Sequence, residues 1–428
     1  MTETIDFEAL RAIGLGETLR RQFDHGVADP RLRPMRVIEV QRAELRLHDG
    51  RAEHRAVCLP SLARELAADD DALAVGDWVL ARADGADSVD SAASAASAAL
   101  CTVTCRLLPH SRITRRTSDG GRRADQRGMA QRQVLVSNVD TAVLVMGLDH
   151  DFQLRRLERY LALAQLSGVA AVLVLSKADT VAPERVAQRL AQVADLLPQR
   201  LPVLALDLRD DHTAAALAPW LQPGQTLVLL GSSGVGKSTL VNTLARALAH
   251  TLAHSPGHPL DHPLDHPPGH PPGHPPDHPL MPACGAAAPS AARATGAVRA
   301  GDSRGRHTTT ARSLLPLPGG ACIIDTPGLR ALRLDVADAD QLADAFGDVA
   351  RHAPMCRFRD CRHQQEPGCA VREAVPDARL LNFQKLLREA SRDSLTALER
   401  RAQLAQWKAR ARAGRARARV KQGGGGRA

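Results

Sequence analysis

The sequence predicts a multidomain α/β protein in which a small β-barrel, a mainly parallel α/β domain and a small metal-binding domain follow one another. Segments of alternating polar and apolar residues between Met35 and Leu108 indicate the barrel. From Gln133 onwards, apolar runs alternate with amphipathic segments of helical period, which is typical of a parallel sheet covered by helices. Three cysteines and one histidine then cluster between Cys356 and Cys369, as expected of a small domain that a metal ion stabilises.

Shifts in composition predict six segments along the chain. They are a tail at 1–33, the barrel at 34–111, a basic Gly/Arg-rich linker at 112–132, the α/β domain at 133–335, the metal-binding domain with its helices at 336–399 and an Arg-rich tail at 400–428. Within the α/β domain, residues 250–300 interrupt the pattern with a histidine at every fourth position among prolines, followed by an Ala/Gly-rich tract. This proline density excludes helix and core strand, so we expect a disordered insertion with no single metal-binding geometry.

The charge of the chain favours an anionic partner. The 428 residues carry a formal net charge of +9 with a pI near 9.6, and residues 400–428 hold ten Lys/Arg and no acid. Arginines spaced in this way suit contacts with nucleic-acid phosphates. No apolar run reaches the roughly 18–20 residues that span a bilayer, and the start has no secretory leader. We therefore expect a cytoplasmic monomer with reduced thiols and no membrane partner.

The stretch GSSGVGKST is a phosphate loop placed between a predicted strand and a predicted helix. Its glycines let backbone N–H groups turn towards phosphate, and the helix N-terminus adds positive potential. We expect Lys237 to contact the β- and γ-phosphates as a catalytic group and Ser238 to ligate Mg²⁺. The nucleotide-binding residues are Gly231, Ser232, Ser233, Gly234, Val235, Gly236, Lys237, Ser238 and Thr239.

Two further stretches are expected to sense the γ-phosphate. In CIIDTPG, Asp325 ends an apolar strand and would hold Mg²⁺ through water, while the Gly328 amide would meet the γ-phosphate. GRHTTT lies between the phosphate loop and DTPG, where a switch loop belongs, and Thr309 or Thr308 would complete the Mg²⁺ shell.

The stretch SKAD resembles a guanine-reading loop. Asp179 would accept the N1–H and N2–H₂ donors of guanine, and the stem of Lys177 would lie along the base. Ser176 stands where Asn is usual, and Ala178 completes the loop. Because this loop precedes the phosphate loop, the order of motifs predicts a circularly permuted GTPase domain, whose βα units keep their places in the sheet. The loop expected behind the base, ALDLRD at 205–210, matches poorly.

Hydrolysis lacks its usual water-orienting residue. Leu329 follows DTPG where many GTPases carry a Gln, so intrinsic turnover should be slow. His307, beside the switch threonines, is the candidate that orients water when a partner closes the loop, and the competing interpretation is that it contacts RNA or solvent.

The cysteine cluster has the spacing of a structural zinc site. Cys356, Cys361, His363 and Cys369 supply three thiolates and one imidazole, which close a tetrahedral shell around one Zn²⁺ and leave no position open for catalysis.

With these motifs in family order, the chain resembles the RsgA (YjeQ) family of circularly permuted GTPases, over roughly residues 35–390. VGDWV, QVLVSNVDTAVLV, SKAD, GSSGVGKSTLVN, GRHTTT, DTPG and the cysteine cluster carry the resemblance. It implies an N-terminal OB barrel that binds RNA, a permuted GTPase domain and a C-terminal zinc domain. It also implies GTP hydrolysis stimulated by the small (30S) ribosomal subunit during late maturation, with the subunit, its rRNA and GTP/GDP as partners.

Two other functions are weighed against this one. His-rich tracts and phosphate loops also occur together in nickel-insertion GTPases, but permutation and a barrel are not expected there. A non-enzymatic RNA-binding module with a decayed nucleotide site would explain Ser176 and Leu329, whereas the intact Lys237, Ser238 and Asp325 count against it.

Overall fold

The computed structural model describes residues 5–23, 29, 31–41, 44–83, 100–116, 132–196, 201–253, 312–326, 334 and 339–393. One continuous sheet of eleven strands runs through this part of the chain. Across the sheet, its strands are in order β10 (Val203–Leu206), β9 (Ala170–Ser176), β8 (Thr141–Gly147), β11 (Thr226–Gly231), β13 (Cys322–Asp325), β12 (Ser313–Pro316), β1 (Arg33–Gln41), β2 (Glu44–His48), β3 (Glu53–Cys58), β5 (Cys101–Arg106) and β4 (Trp78–Ala83). The first six strands of this order form the α/β domain and the last five form the barrel. The predicted fold class is confirmed: a closed barrel, a permuted α/β domain and a C-terminal helical unit with a Cys/His cluster.

Part of the segment predicted as an N-terminal tail is folded. It forms α1 (Phe7–Arg11) and α2 (Glu17–Arg20). Leu10, Ile13 and Leu19 are buried in one cluster with Trp78 of the barrel. Because the apolar residues of this segment are few and irregularly spaced, their packing depends on a partner surface that the local pattern does not reveal.

The barrel closes on itself through the pairing of its first and fourth strands. Its elements are β1 (Arg33–Gln41), β2 (Glu44–His48), β3 (Glu53–Cys58), α3 (Pro60–Ala68), β4 (Trp78–Ala83) and β5 (Cys101–Arg106). Alternate residues such as Met35, Val37 and Leu47 point inward and are almost fully buried. Closure removes the exposed sheet edges that five short strands would otherwise leave.

The segment predicted as a linker contributes a strand at one end. β6 (Arg112–Arg116) pairs antiparallel with β7 (Arg132–Ser137), in a small second sheet. Ile113 and Val136 face each other in this hairpin and are both buried. The barrel is therefore followed by a packed hairpin, and the long apolar segment 133–148 divides into two strands.

Within its described residues, the α/β domain has five parallel strands and one antiparallel strand, with helices on both faces. Its strands are β8 (Thr141–Gly147), β9 (Ala170–Ser176), β10 (Val203–Leu206), β11 (Thr226–Gly231), β12 (Ser313–Pro316) and β13 (Cys322–Asp325). Its helices are α4 (Leu154–Leu166), α5 (Pro183–Leu196), α6 (His212–Leu217) and α7 (Lys237–Ala253). Helix α7 continues four residues into the predicted insertion at 250–300, and the remainder of that insertion lies outside the described residues.

The C-terminal unit packs against α4. It contains α8 (Ala339–Ala345), α9 (Gly347–His352), α10 (Ala370–Ala374) and α11 (Asp377–Asp393). Arg379 donates to Glu158 at 2.7 Å and to Asp348 at 2.9 Å, and its guanidinium lies 5.0 Å from the centre of the Phe346 ring. Asn382 also contacts the nearly buried Glu158 carboxylate. A buried charged network therefore joins the two units.

Arg36 connects the barrel, the N-terminal helices and the α/β domain. Its fully buried guanidinium donates to the carbonyl oxygen of Ile13 at 2.6 Å and to the hydroxyl of Thr226 at 2.8 Å. Burial lowers the pKa of Arg36, but these acceptors replace the water that the cation loses.

Candidate nucleotide-binding site

The phosphate loop lies between β11 and α7, at the carboxyl edge of the parallel strands. A Cβ atom at Gly231 would lie 2.5 Å from the carbonyl oxygen of Val145, so no side chain fits there. Gly234 and Gly236 have φ angles of 78° and 104°, in the left-handed region that favours glycine. The loop conformation thus depends on the glycines of the sequence motif, and Ser238 and Thr239 follow in the first turn of α7.

Lys237 is folded back along this loop. Its ammonium donates to the carbonyl oxygens of Gly231 at 2.9 Å and Ser232 at 2.7 Å. Burial lowers the pKa of Lys237 to about 8, although the nearby carboxylates of Asp325 and Asp151 oppose this shift. An ammonium whose hydrogen bonds go to two backbone carbonyls can exchange these acceptors for incoming phosphate oxygens.

The base loop lies directly against the phosphate loop. Strands β8 and β9 are paired up to Gly147 and Ser176, and β8 also pairs with β11, so the loops that follow them share one edge of the sheet. The buried Ser176 hydroxyl donates to the carbonyl oxygen of Val235 at 2.8 Å. A contact between residues 59 positions apart in the chain therefore joins the two stretches at one site.

The other residues of the base loop have charged partners. Lys177 has a φ angle of 64° and donates to Asp149 at 2.7 Å, and a 3-10 turn beginning at Ala178 follows it. The Asp179 carboxylate is paired with Arg209, which also contacts Asp207 at 3.2 Å. The poorly matching stretch 205–210 is thus in the expected place, beside the base loop.

Leu208 explains how the stretch 205–210 supports the site. Its side chain is buried with Val235, and a Cβ atom at Gly236 would come within 2.9 Å of it. The contact is apolar, so the usual sequence motif for this loop gives no signal for it.

Asp325 is at the end of β13, beside the phosphate loop. It is buried and pairs in register with Leu229 of β11, and the hydroxyl of Thr326 donates to the carbonyl oxygen of Leu229 at 2.6 Å. Gly328, Leu329, His307 and the switch threonines Thr308 and Thr309 lie outside the described residues. Their roles therefore remain predictions from the sequence.

Two acidic residues of this site, Asp149 and Asp151, belong to none of the predicted motifs. They follow β8 directly, in the loop before α4, and contact Lys177 and Ser232 respectively at 2.7 Å. The available signal was a pair of acids immediately after a buried parallel strand, at the edge where the two nucleotide loops were expected.

The predicted zinc ligands converge in the C-terminal unit, between α9 and α10. The ligand atoms of Cys356, Cys361, His363 and Cys369 all lie within 4.8 Å of one another. Cys356 Sγ is 3.9 Å from Cys369 Sγ, and His363 Nδ1 is 3.6 Å and 3.4 Å from these two sulfurs. A tetrahedral site with zinc–sulfur bonds of about 2.3 Å places sulfurs about 3.8 Å apart. The cluster therefore fits a metal ion such as zinc.

Glu366 orders the loop that carries His363. Its carboxylate accepts backbone N–H bonds from Arg362 at 3.1 Å and Gln364 at 2.7 Å. Backbone hydrogen bonds, including one from its own N–H, lower the pKa of Glu366 to about 2. His363 itself has a φ angle of 57°, and the surrounding turn holds its Nδ1 towards the sulfurs.

These features define a circularly permuted GTPase. On a mainly parallel sheet that follows an OB-type barrel, the base loop comes first in the chain, then the phosphate loop, then the DTPG strand. Solved structures of similar fold include the following two. YjeQ from Thermotoga maritima has a TM-score of 0.52 at 18% identity, covering 84% of this chain and 98% of that one. YloQ, a circularly permuted GTPase, has a TM-score of 0.51 at 17% identity, covering 85% and 96%. At this identity the likeness concerns the fold alone.

Sequence similarity identifies the family. The RsgA GTPase family model matches residues 113–255 and 285–335. Relatives named small ribosomal subunit biogenesis GTPase RsgA include the following two. The protein of Xanthomonas oryzae pv. oryzae (strain PXO99A) is 36% identical over 365 residues, covering 84% of this chain and 81% of the relative. That of Xylella fastidiosa (strain 9a5c) is 37% identical over 344 residues, covering 80% of each. The chain belongs to the RsgA family and is a GTP hydrolase.

Proposed function

We propose that this GTPase binds the small (30S) ribosomal subunit and its rRNA, hydrolyses GTP to GDP and phosphate when the subunit stimulates it, and acts late in subunit maturation. Relatives that carry the ribosomal name support this role, since each is at least 36% identical and aligned over at least four fifths of this chain. The setting for such a role is the cytoplasm, with the protein acting as a monomer. Among the described helices, none combines the length and apolar character that a bilayer span requires.

The observation that carries the nucleotide-binding part is the contact between Ser176 and Val235, because it joins the base loop to the phosphate loop. In the proposed complex, the Asp179 carboxylate accepts the two guanine donors and the Lys177 stem lines the base. The loop N–H groups and Lys237 hold the phosphates. Ser238 and Asp325 would hold Mg²⁺, which shields the phosphate charge when bound.

Catalysis is proposed to depend on a partner. Leu329 offers no hydrogen bond to water, so His307 is the residue we propose for orienting the attacking water once the subunit closes the switch loop. Thr309, or Thr308, would reach Mg²⁺ in the same closed state. Intrinsic GTP turnover would therefore be slow, and the subunit would stimulate it strongly, because the catalytic residues are in place only in the closed state.

Zinc is proposed as one structural ion. The residues Cys356, Cys361, His363 and Cys369 would hold it, and the distances between their ligand atoms support a closed tetrahedral shell. Such an ion would replace the apolar core that the loop between α9 and α10 lacks.

The same loop carries an exposed surface suited to RNA. Arg357, Phe358, Arg359 and Arg362 are all exposed, and the Arg357 guanidinium lies 5.6 Å from the centre of the Phe358 ring. Arginines beside an exposed aromatic ring bind phosphates and stack on unpaired bases. The Arg-rich segment 400–428 would add salt-dependent affinity.

Turnover of GTP and ATP, with and without purified small subunits, tests the proposal. We expect GTP to be used in preference to ATP, subunits to stimulate turnover, and Lys237→Ala to abolish both basal and stimulated activity. Activity that subunits leave unchanged would contradict the ribosomal role. Equal use of ATP would contradict the role of Asp179. The nickel-insertion alternative gains no support from membership of the RsgA family.

A further inference from the structure

The loop between β8 and α4 contacts both nucleotide loops through two neighbouring carboxylates. Asp149 Oδ2 accepts from the Lys177 ammonium at 2.7 Å, and Asp151 Oδ1 accepts from the Ser232 hydroxyl at 2.7 Å. We infer that Asp149 and Asp151 are positioning residues that set the base loop and the phosphate loop for one nucleotide. This inference rests on the proposed nucleotide-binding role of those two loops.

Asp151 contacts the phosphate loop through its partly buried carboxylate. Its carboxylate also pairs with Arg156 of α4 at 2.7 Å, while the backbone N–H of Gly147 is 3.4 Å from its second oxygen. Ser232 is buried, and its carbonyl oxygen is one of the two that Lys237 contacts. Asp151 therefore orients the residue whose backbone holds the phosphate-binding lysine.

Asp149 acts on the base loop in the corresponding way. Its carboxylate fixes the end of the Lys177 side chain, whose backbone is in the left-handed region. Burial disfavours the charged form of Asp149, but the Lys177 ammonium and the Asp151 backbone N–H outweigh it and hold the pKa below its usual value. With the ammonium held in this way, the aliphatic stem of Lys177 is free to line the base.

The geometry of the loop itself is fixed by short contacts. The backbone N–H of Asp151 donates to Asp149 Oδ1 at 3.0 Å, and Arg189 of α5 donates to the Asp149 carbonyl oxygen at 2.9 Å. A Cβ atom at Gly147 would lie 2.5 Å from Asp149 Oδ1, so a side chain there would displace this carboxylate. Because the two acids belong to one fixed loop, that loop sets the distance between the base loop and the phosphate loop.

Probes that occupy only part of the site separate the two roles. Guanosine has the base without phosphates, and inorganic pyrophosphate has phosphates without a base. In competition with GTP turnover, we expect Asp149→Asn to raise the inhibition constant of guanosine roughly tenfold and leave that of pyrophosphate within about twofold. Asp151→Asn should do the reverse. Both should raise KM for GTP with kcat nearly unchanged, since positioning affects binding rather than the chemical step.

Ser232→Ala supplies a variant that leaves no unpaired buried charge, because Asp151 keeps Arg156. It should reproduce the effect of Asp151→Asn on pyrophosphate without lowering the melting temperature. The double variant with Ser232→Ala and Asp151→Asn should bind pyrophosphate no more weakly than Asp151→Asn alone, because both changes remove the same contact. Asp211→Asn is the matched control: this exposed acid pairs with Arg246 at 2.7 Å in the loop before α6.

The outcomes distinguish this inference from the proposed function. A wild-type protein that does not bind GDP, or unaltered binding by Lys237→Ala, would overturn the proposed function. The inference alone would be overturned if the wild type binds GDP and the three variants Asp149→Asn, Asp151→Asn and Ser232→Ala bind GDP equally well. Equal weakening of guanosine and pyrophosphate by each folded variant would also overturn it, since the two acids would then have no separate partners.

Discussion

The hydroxyl of Ser176 donates a hydrogen bond of 2.8 Å to the carbonyl oxygen of Val235, and both residues are buried. Ser176 ends β9 and Val235 lies within the phosphate loop. A serine at a position where asparagine is usual therefore keeps a direct contact between the two loops, although it offers only one donor.

Removing this hydroxyl should weaken nucleotide binding. In Ser176→Ala the carbonyl of Val235 loses its donor in a dry site, at a cost of about 1–2 kcal/mol, which corresponds to roughly fivefold to thirtyfold in the GDP dissociation constant. Calorimetric titration with GDP measures this dissociation constant. Thr180→Ala is the control, because the Thr180 hydroxyl also donates to a backbone carbonyl, that of Lys177 at 3.0 Å, but is exposed. Equal affinities of Ser176→Ala and wild type would show that the contact does not support the bound loop.

Nucleotide affinity should fall as pH rises above about 8. Burial lowers the pKa of Lys237 to about 8, whereas phosphate oxygens favour its charged form and raise that pKa again on binding. Below pH 8 the lysine is already protonated. Above it, binding must take up a proton, and affinity falls by at most about tenfold per pH unit.

Titration with GDP between about pH 7.5 and 9, in two buffers of different ionisation enthalpy, measures this proton uptake directly. We expect uptake of about a quarter of a proton at the lower limit and about nine tenths of a proton at the upper limit. Uptake that does not change across this range would mean that the Lys237 ammonium stays protonated in the free protein.

Substitution of a zinc ligand should remove the metal. The purified protein should contain close to one Zn²⁺ per chain, and Cys361→Ser should lower both the zinc content and the resistance of the C-terminal unit to proteolysis. Metal analysis and limited proteolysis are the measurements. Cys105→Ser, which changes an exposed cysteine of the barrel, should retain the metal. Full zinc content in Cys361→Ser would place the ion elsewhere.

Arg379 should be important for stability. Its side chain is 9% exposed and pairs with the Glu158 carboxylate, which is 3% exposed. Arg379→Met leaves this acid buried with Asn382 but without a charged partner, so we expect a loss of about 3–5 kcal/mol in the free energy of unfolding, measured with urea.

Two further variants check the cause of that loss. Adding Glu158→Gln to Arg379→Met should recover much of the loss, because the uncompensated charge is then absent. Arg388→Ala, which changes an exposed arginine of the same helix, should stay within about 0.5 kcal/mol of the wild type. If Arg379→Met alone is as stable as the wild type, water must solvate the Glu158 carboxylate once its partner is lost.

Local patterns were sufficient for much of this protein. The glycine spacing at 231–236 predicted the phosphate loop because only glycine tolerates its left-handed φ angles and close approaches. The alternation of apolar residues predicted the barrel, and the order of motifs predicted the permutation. The spacing of Cys356, Cys361, His363 and Cys369 predicted a cluster that the structure brings together.

Other features depend on partners distant in the chain. Leu10 and Ile13 became core residues only because Trp78 of the barrel packs against their short helices. Asp149 and Asp151 carry no motif, and their contacts with Lys177 and Ser232 exist because parallel strands β8, β9 and β11 end at one edge. The sequence by itself determined which residue types line each loop, since backbone conformation and ligand chemistry are local. Only the tertiary structure decided which charges are paired, because pairing depends on distances between segments that the chain order does not specify.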